Sequence, residues 1–336
     1  MSKDRVSWID CAKGIAAVLM ILGHTWFPES VKAFFYSFHM PLFFILSGYT
    51  FHFDKKGNVK TFFLKRIKPV IVYYICFASL NIIWKGIKAA LSGEFALEVI
   101  CKDILGIIVN VRGADYGPGL WFFTAFISGY IVFFFTFRNT RGFINIQIIS
   151  AIILLACWGF YMQFIGARLP WGIDVSPLIA FLLWIGCFAR EQQLMTKLLE
   201  SKYKVICSCV IFVITFTANY FLNGQVRVDI WSNSYGNYVL FLNNAVIGTY
   251  LLCYIANNLT LKKLNFIGRN SSYVYGLHGI PNEILMAVSS KLLGEVMKNP
   301  FLEFVLGIVN TCIILCCVCI EIEVITRIKK RICNTF

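Results

Sequence analysis

Three ionisable side chains, Asp10, Lys13 and His24, stand in or against the first apolar stretch of the sequence. If that stretch is a helix, Lys13 and His24 project within about 20° of each other and Asp10 within about 40° of His24. His24 then lies roughly 16 Å deeper along the axis than Lys13. A neutral histidine can act as a general base or a nucleophile near pH 7. The spacing favours a reactive imidazole inside a membrane; the alternative is an Asp10–Lys13 pair that fixes topology beside a packed histidine.

A second histidine, His39, stands two residues before Pro41 in the apolar stretch FYSFHMPLFFILSGYTF (35–51), which also contains Ser47. Proline breaks the helical hydrogen-bond ladder, and such a break is tolerated where protein or water satisfies the freed groups. His39 therefore has two interpretations. It lines a polar cavity, or it is a hydrogen-bonded histidine at a structural kink.

Basic residues are concentrated in the segment DKKGNVKTFFLKRIKP (54–69), where Lys65, Arg66 and Lys68 crowd the edge of the next apolar stretch. An inner loop that orients a membrane protein explains most of this charge. An anionic ligand also explains the crowding, because Arg and Lys bind phosphate.

The elements that must position these residues are membrane helices. Hydrophobic residues make up 58% of the 336-residue chain and charged residues only 14%, which is typical of a polytopic membrane protein. We predict an all-α bundle of about ten transmembrane helices, with nine or eleven as alternatives, forming one integral-membrane domain over 1–336 without a soluble appended domain. The predicted spans are about 8–27, 34–53, 69–91, 119–137, 146–164, 177–190, 205–222, 238–257, 271–289 and 300–326.

The formal net charge of +14 follows this topology. With the amino terminus inside, roughly two thirds of the 31 Lys and Arg residues fall in cytoplasmic segments, as the positive-inside rule requires. We therefore expect a multi-pass protein of the cytoplasmic (inner) membrane with both termini cytoplasmic, surrounded by membrane lipids and without a nucleic-acid partner. No Cys and His spacing matches a metal site, so we expect no metal.

The longest predicted outer loop, roughly 92–118, contains apolar residues at helical spacing. The pattern includes Phe95, Val99, Ile104 and Ile108, and it predicts a helix lying in the membrane interface. The sequence DYGPG then ends the helix before the fourth predicted span.

Several motifs resemble one family. RVSWIDCAKGIAAVLMILGH (5–24) and FHMPLFFILSGY (38–49) resemble the opening of acyltransferase 3 proteins, which are integral-membrane O-acyltransferases, in the branch that includes fucose and exopolysaccharide O-acetylases. KRIKP (65–69), LWFFTAF (120–126) and FIGRNSSYVYGLHG (266–279) are similar to later landmarks of that family. The resemblance covers nearly the whole chain.

The resemblance implies an O-acetyltransferase that moves an acetyl group from cytoplasmic acetyl-CoA to a hydroxyl of a glycan or lipid-linked sugar at the outer face. We expect His24 to be the main catalytic residue, with Asp10 as an orienting group and His39 in support. Lys13, Lys65, Arg66 and Lys68 would bind the acetyl-CoA phosphates. Phe63 stands where the family often has a second Arg, so Lys65 or Lys68 would substitute. Ser47, Trp121 and His278 would contact the acceptor.

Two other classes fit parts of this pattern. A transporter or flippase of a lipid-linked sugar would also have buried polar groups and a kinked span, although the chain shows no pair of related halves. A membrane scaffold explains the hydrophobicity but leaves the Asp10–Lys13–His24 face without a role. Acyl transfer by the purified protein separates the enzyme from both.

Overall fold

The computed structural model describes residues 6–54, 58–93, 97–140, 142–199, 201–259, 261–293 and 299–335, and the regular structure within these ranges is helical apart from one isolated β-bridge between Asp229 and Ser234. Arg5, Lys55, Lys56 and Phe95, which belong to the motifs and patterns above, lie outside these ranges. A π-helical turn, Phe63–Ile67, precedes α5, and a 3-10 helix, Pro170–Val175, precedes α9. The α-helices are α1 Ser7–His24, α2 Glu29–Tyr36, α3 His39–Tyr49, α4 Val59–Phe62, α5 Lys68–Ser92, α6 Leu97–Val109, α7 Trp121–Phe137, α8 Ile144–Phe164, α9 Ser176–Glu191, α10 Leu194–Leu199, α11 Lys202–Leu222, α12 Tyr238–Asn258, α13 Lys262–Arg269, α14 Ser271–Leu277, α15 Gly279–Leu293 and α16 Pro300–Thr335.

Eight helical segments within the described ranges are long and apolar enough to cross a membrane. They are Ser7–His24, Glu29–Tyr49, Val59–Ser92, Ile144–Phe164, Pro170–Glu191, Lys202–Leu222, Tyr238–Asn258 and Pro300–Arg331. The predicted all-α, multi-pass membrane architecture is confirmed. The two other predicted spans differ from the full-length helices expected. The stretch 119–137 forms a 17-residue helix, shorter than the roughly 20 residues that a perpendicular span needs, and the stretch 271–289 is interrupted.

Two helix breaks occur just before prolines and leave a histidine at each break. A proline ring clashes with the carbonyl four residues earlier. Pro41 therefore excludes a regular helix through Ser37, and α2 ends at Tyr36 before His39 opens α3. Pro281 acts in the same way on Leu277, where α14 ends, and His278 occupies the junction with α15. The kink expected near Pro41 is confirmed, and a second kink of the same kind adjoins His278.

The chain divides into two compact units: residues 1–42, 202–227 and 242–336 form unit 1, and residues 43–201 and 228–241 form unit 2. In unit 1, α1 packs against α2, α13, α14 and α16. Glycines allow α13 to approach closely, because a Cβ on Gly14 would collide with the carbonyl oxygen of Leu264 and one on Gly268 with that of Asp10. Small residues at a helix contact are typical of packing in membranes. This packing fixes the position of α1 within unit 1, and with it that of His24 at the end of the helix.

Unit 2 is organised around α7, which packs against α5, α9 and the 3-10 helix. A buried ion pair holds its loops together. Arg112 donates to the Asp174 carboxylate, to the carbonyl of Ile230 and to the amide oxygen of Asn233, the last at 3.0 Å. The side chains of Arg112 and Asp174 are fully buried. Tyr235, whose pKa is raised by burial, stays neutral and donates to Asn233 at 3.3 Å. The network thus ties three separate loop segments into one structure.

Candidate functional site

Three histidines are grouped in unit 1, although they come from distant parts of the sequence. His24 ends α1 with its side chain exposed, whereas His39 and His278 are buried. The ring centroids of His24 and His278 are 5.3 Å apart. The Tyr36 ring packs directly on Gly23, because a Cβ at Gly23 would collide with that ring. The Tyr36 ring also lies 4.8 Å from the His39 ring in an edge-on arrangement. The structure thus brings together all three histidines named from the sequence.

The two buried histidines have their tautomers fixed by backbone carbonyls. His39 Nδ1 lies 2.8 Å from the carbonyl oxygen of Phe35, and His278 Nδ1 lies 2.8 Å from that of Tyr275. A carbonyl only accepts, so each Nδ1 carries the proton and each neutral ring keeps its lone pair on Nε2. The His24 ring nitrogens have no hydrogen-bond partner among the described residues. His24 is therefore the exposed imidazole that is available to a ligand. The imidazoles of His39 and His278 are buried and held in fixed orientations.

A cluster of charges adjoins the histidines. Glu29 accepts from Lys32 Nζ at 3.1 Å and, through both carboxylate oxygens, from Arg227 at 3.0 and 3.1 Å. The Arg227 guanidinium lies 4.5 Å above the centre of the Tyr36 ring. The charges of Lys32 and Arg227 both act electrostatically on His24. The site therefore combines exposed and buried imidazoles with two cations and the Glu29 carboxylate that pairs with both of them. Sequence analysis missed Glu29, Lys32 and Arg227.

Two buried polar atoms near the histidines in sequence lack a partner within the described chain. They are the indole nitrogen of Trp26, two residues after His24, and the amide oxygen of Asn282, one turn after His278. Buried polar atoms are nearly always hydrogen-bonded. A donor and an acceptor of this kind are the groups that a bound hydroxyl-bearing ligand would satisfy.

Asp10 and Lys13 lie towards the opposite end of α1. Asp10 is roughly 21 Å from His24 along the helix axis, and it accepts from Arg269 Nε at 3.0 Å. The Asp10 side chain is buried, while half of the Arg269 side chain is exposed. Asp10 therefore holds α13 to α1, and the structure does not bring it together with the histidines. Arg269 is a partner that the sequence analysis did not assign.

The basic residues predicted to bind a cofactor in unit 2 differ in their surroundings. Arg66 donates to the carbonyl of Thr50 at 3.3 Å and lies 5.0 Å over the Phe51 ring. Lys65 and Lys68 are exposed. Arg66 and Lys65 belong to the π-helical turn, a geometry frequent at functional sites. Arg66 is thus engaged with the end of α3, and the two lysines are the more accessible cations.

Ser47 and Trp121, predicted to contact the acceptor, also lie in unit 2. Ser47 is half-buried on α3, and its backbone carbonyl accepts from Thr50 Oγ1 at 3.2 Å. Trp121 begins α7, is half-buried and has its ring edge-on to Phe122 at 6.2 Å. Each has a packing role within its own unit, and their contact with an acceptor stays a prediction.

Among the described residues, no group of three or more His, Cys, Asp or Glu side chains is arranged to hold a metal ion.

The fold and the site define the class of protein. It is a multi-pass helical membrane protein in which an exposed imidazole adjoins the cations of Lys32 and Arg227. The family model described as Acyltransferase domain matches residues 6–320, nearly the whole chain. The chain belongs to the acyltransferase 3 family and is a membrane acyltransferase. Neither the curated proteins nor the solved structures gave a significant match.

Proposed function

We propose that this protein is an O-acetyltransferase that moves an acetyl group from cytoplasmic acetyl-CoA to a hydroxyl of a cell-surface or lipid-linked glycan at the outer face of the inner membrane. The observation that carries the proposal is the exposed, unengaged ring of His24, 5.3 Å from that of His278, in a chain of an acyltransferase family. The charge distribution supports cytoplasmic termini and an outward-facing His24 end of α1.

The chemistry needs one group that accepts the hydroxyl proton of the acceptor. His24 takes that proton as the hydroxyl oxygen attacks the thioester carbonyl carbon. The C–S bond then breaks, and the CoA thiolate takes the proton from the imidazolium. Direct transfer and a covalent route, in which the imidazole first receives the acetyl group, both use this ring. Trapping labelled acetyl on His24 without acceptor distinguishes the two.

Other side chains of unit 1 are suited to the charge of the transition state and to binding of the acceptor. The cations of Lys32 and Arg227 are suited to the negative charge that develops on the thioester oxygen. The unpartnered polar atoms of Trp26 and Asn282, which follow His24 and His278 in the sequence, suit the hydroxyls of a sugar.

At the donor end, Lys13 on α1 and the exposed Lys65 and Lys68 are the proposed ligands of the acetyl-CoA phosphates. In this proposal Arg66 contributes mainly by fixing the segment that carries Lys65, because it donates to the Thr50 carbonyl. Asp10, bonded to Arg269, positions α1.

Replacing Arg227 with alanine is expected to lower kcat by roughly 10- to 100-fold with a smaller change in KM, because the cation acts on charge that develops in the transition state. Arg227→Lys should restore part of the loss. The measurement is steady-state transfer by purified protein. Arg327→Ala, which removes a mostly exposed guanidinium on α16, is the matched control. Unchanged kcat in Arg227→Ala would remove Arg227 from the catalytic site.

Mass spectrometry of surface glycans tests the proposed function in the cell. A strain that lacks this protein should lose the acetyl mass from one glycan, and expression of the protein should restore it. Glycans of unchanged acetylation, together with altered export of a lipid-linked sugar, would instead support the transporter hypothesis.

A further inference from the structure

A cavity of about 920 Å³ lies in unit 2 between the end of α5, the helix α6 and the loop after α6. Its volume is within the range of small-molecule sites. None of its lining residues belongs to the histidine group or to the proposed donor site. The cavity is therefore a separate candidate for ligand binding.

One wall of this cavity is preformed by polar and backbone contacts. The buried Asp103 carboxylate accepts from Lys85 Nζ at 3.0 Å and from the backbone N–H of Gly117 at 2.6 Å. Lys85 also donates to the carbonyl oxygen of Gly117 at 2.7 Å. A Cβ on Gly106 would collide with the backbone of Gly117. The loop is thus clamped onto α6, and this wall is formed without a ligand.

The charges of the cavity are matched within the chain, which favours an uncharged ligand. The charged side chains that line it are Lys85, Lys88, Lys102, Asp103 and Asp115. Lys85 pairs with Asp103 at 3.0 Å. Lys102 pairs with Glu98 at 2.7 Å, and Lys88 also has a partner within the chain. A bound anion would have to displace one of these partners and would lie beside a carboxylate, so the lining does not select for negative charge.

Hydroxyl groups suit such a lining better than charged groups do. A carboxylate only accepts hydrogen bonds and an ammonium only donates them, whereas a hydroxyl does both. The Asp115 carboxylate can therefore accept from one hydroxyl of a ligand while Lys102 donates to another. Ser92 Oγ donates to the carbonyl oxygen of Ala89 at 3.2 Å, so it is suited to accept from a third. A ligand with several hydroxyls satisfies these groups and leaves the ion pairs intact.

An exposed aromatic ring completes the lining. Tyr116 is 39% exposed, and its ring lies against Gly106, because a Cβ built there would be 3.0 Å from a ring carbon. The contact with α6 holds the ring in place at the cavity. Val99 and Leu105 add apolar surface. The C–H face of a sugar ring packs on the face of an aromatic ring, and the hydroxyls at the edge of the same sugar then reach the polar groups.

The surroundings of the cavity are suited to a membrane surface. Helix α6 exposes large apolar side chains along its length, including Leu97, Ile104 and Ile108. The helix was predicted from its spacing to lie at the membrane interface, and its helical conformation is confirmed. An apolar helix face of this kind rests on the hydrocarbon boundary and keeps the polar groups beside it at the level of the headgroups. The sugars of an envelope glycan are found at the same level.

We propose that this cavity binds an uncharged sugar unit of the acceptor glycan. The Tyr116 ring lies against one face of the sugar, and Asp115, Lys102 and Ser92 bond to its hydroxyls. The proposal rests on the proposed function for the role of that glycan as acceptor. It assigns a binding subsite, while the proton transfer stays with the histidine group of unit 1.

Native mass spectrometry of the purified full-length protein tests the proposal, in a detergent without a sugar headgroup. The probes are oligosaccharides released from the surface glycans of a strain that lacks this protein, separated into neutral and acidic fractions. Wild type should bind neutral oligosaccharides, and Tyr116→Ala should bind them about tenfold more weakly because the stacking contact is lost. Asp115→Asn, a change of similar shape, should also weaken binding. Tyr203→Ala removes an exposed tyrosine of α11 and should bind as wild type does.

Three results would overturn the proposal. They are the absence of neutral oligosaccharide binding by wild type, binding restricted to the acidic fraction, and equal affinity of wild type and both cavity variants. Melting temperatures of all four proteins verify that they are folded.

Steady-state transfer by the same proteins distinguishes failure of this proposal from failure of the proposed function. Tyr116→Ala should raise the KM for the acceptor and leave kcat unchanged, because the cavity binds the ground state and the transition state alike. Transfer with an unchanged acceptor KM in both cavity variants would overturn the sugar subsite alone. Wild type that binds neutral oligosaccharides through Tyr116 but transfers no acetyl group would contradict the proposed function and still support a sugar site.

Discussion

His24→Ala is expected to lower the rate of acetyl transfer by at least about 10²–10⁴-fold, the effect of removing a positioned acid–base group. The variant should insert and fold normally, because alanine is easier to place in a membrane than histidine, and His24 makes no hydrogen bond within the described chain. Acetyl-CoA should still bind, since the proposed phosphate ligands remain. The measurement is CoA release with saturating acceptor, together with a binding isotherm for acetyl-CoA.

Parallel variants of the two buried histidines sharpen this test. His39 and His278 each donate from Nδ1 to a backbone carbonyl, so their loss disturbs a helix break as well as the site. His39→Ala and His278→Ala should therefore reduce both the melting temperature and the activity. Near-normal transfer in His24→Ala with no transfer in either of the others would assign the reaction to a different imidazole.

Arg112→Ala is expected to destabilise the protein by about 3–5 kcal/mol, because it leaves the buried Asp174 carboxylate without its cation. Arg112 also donates to the carbonyl of Ile230 and to Asn233, contacts that alanine cannot make. Arg112→Lys should recover only part of the stability, since an ammonium cannot reproduce a planar fork of donors. The measurement is the thermal midpoint in detergent, followed by tryptophan fluorescence.

The control for Arg112 is Arg327→Ala, which breaks a mostly exposed i,i+4 pair with Glu323 and should change stability by less than about 1 kcal/mol. If Arg112→Ala melts at the wild-type temperature, the buried pair does not hold the loops of unit 2 together.

The helical features of the site were predictable from the sequence because their causes are local. An apolar run of helical length places Asp10, Lys13 and His24 on one helix, and Pro41 determines the break beside His39. The break at His278 follows from Pro281 by the same rule, although it was not predicted. The stretch 119–137 was predicted as a full crossing because its residues are almost all apolar. The helix α7 begins only at Trp121.

The charge cluster was not predictable because its contacts are distant in sequence. Arg227 is 198 residues from Glu29, and Arg269 is 259 residues from Asp10. Single charges at helix ends and in connecting segments carry no periodic pattern that would pair them. The sequence suggested that Asp10 is an orienting group. The structure adds a partner for Asp10 on α13, a short helix whose docking depends on the tertiary contacts of Gly14 and Gly268.

Transfer across sealed proteoliposomes tests the central claim most directly. Vesicles containing the protein in one orientation receive radiolabelled acetyl-CoA outside, on the side of the cytoplasmic termini, and enclose a glycan acceptor in the lumen. Wild type should place label on the enclosed glycan, and His24→Ala should leave it at the level of protein-free vesicles while still binding acetyl-CoA. Unlabelled glycan with wild type, or equal labelling by wild type and His24→Ala, would contradict the account.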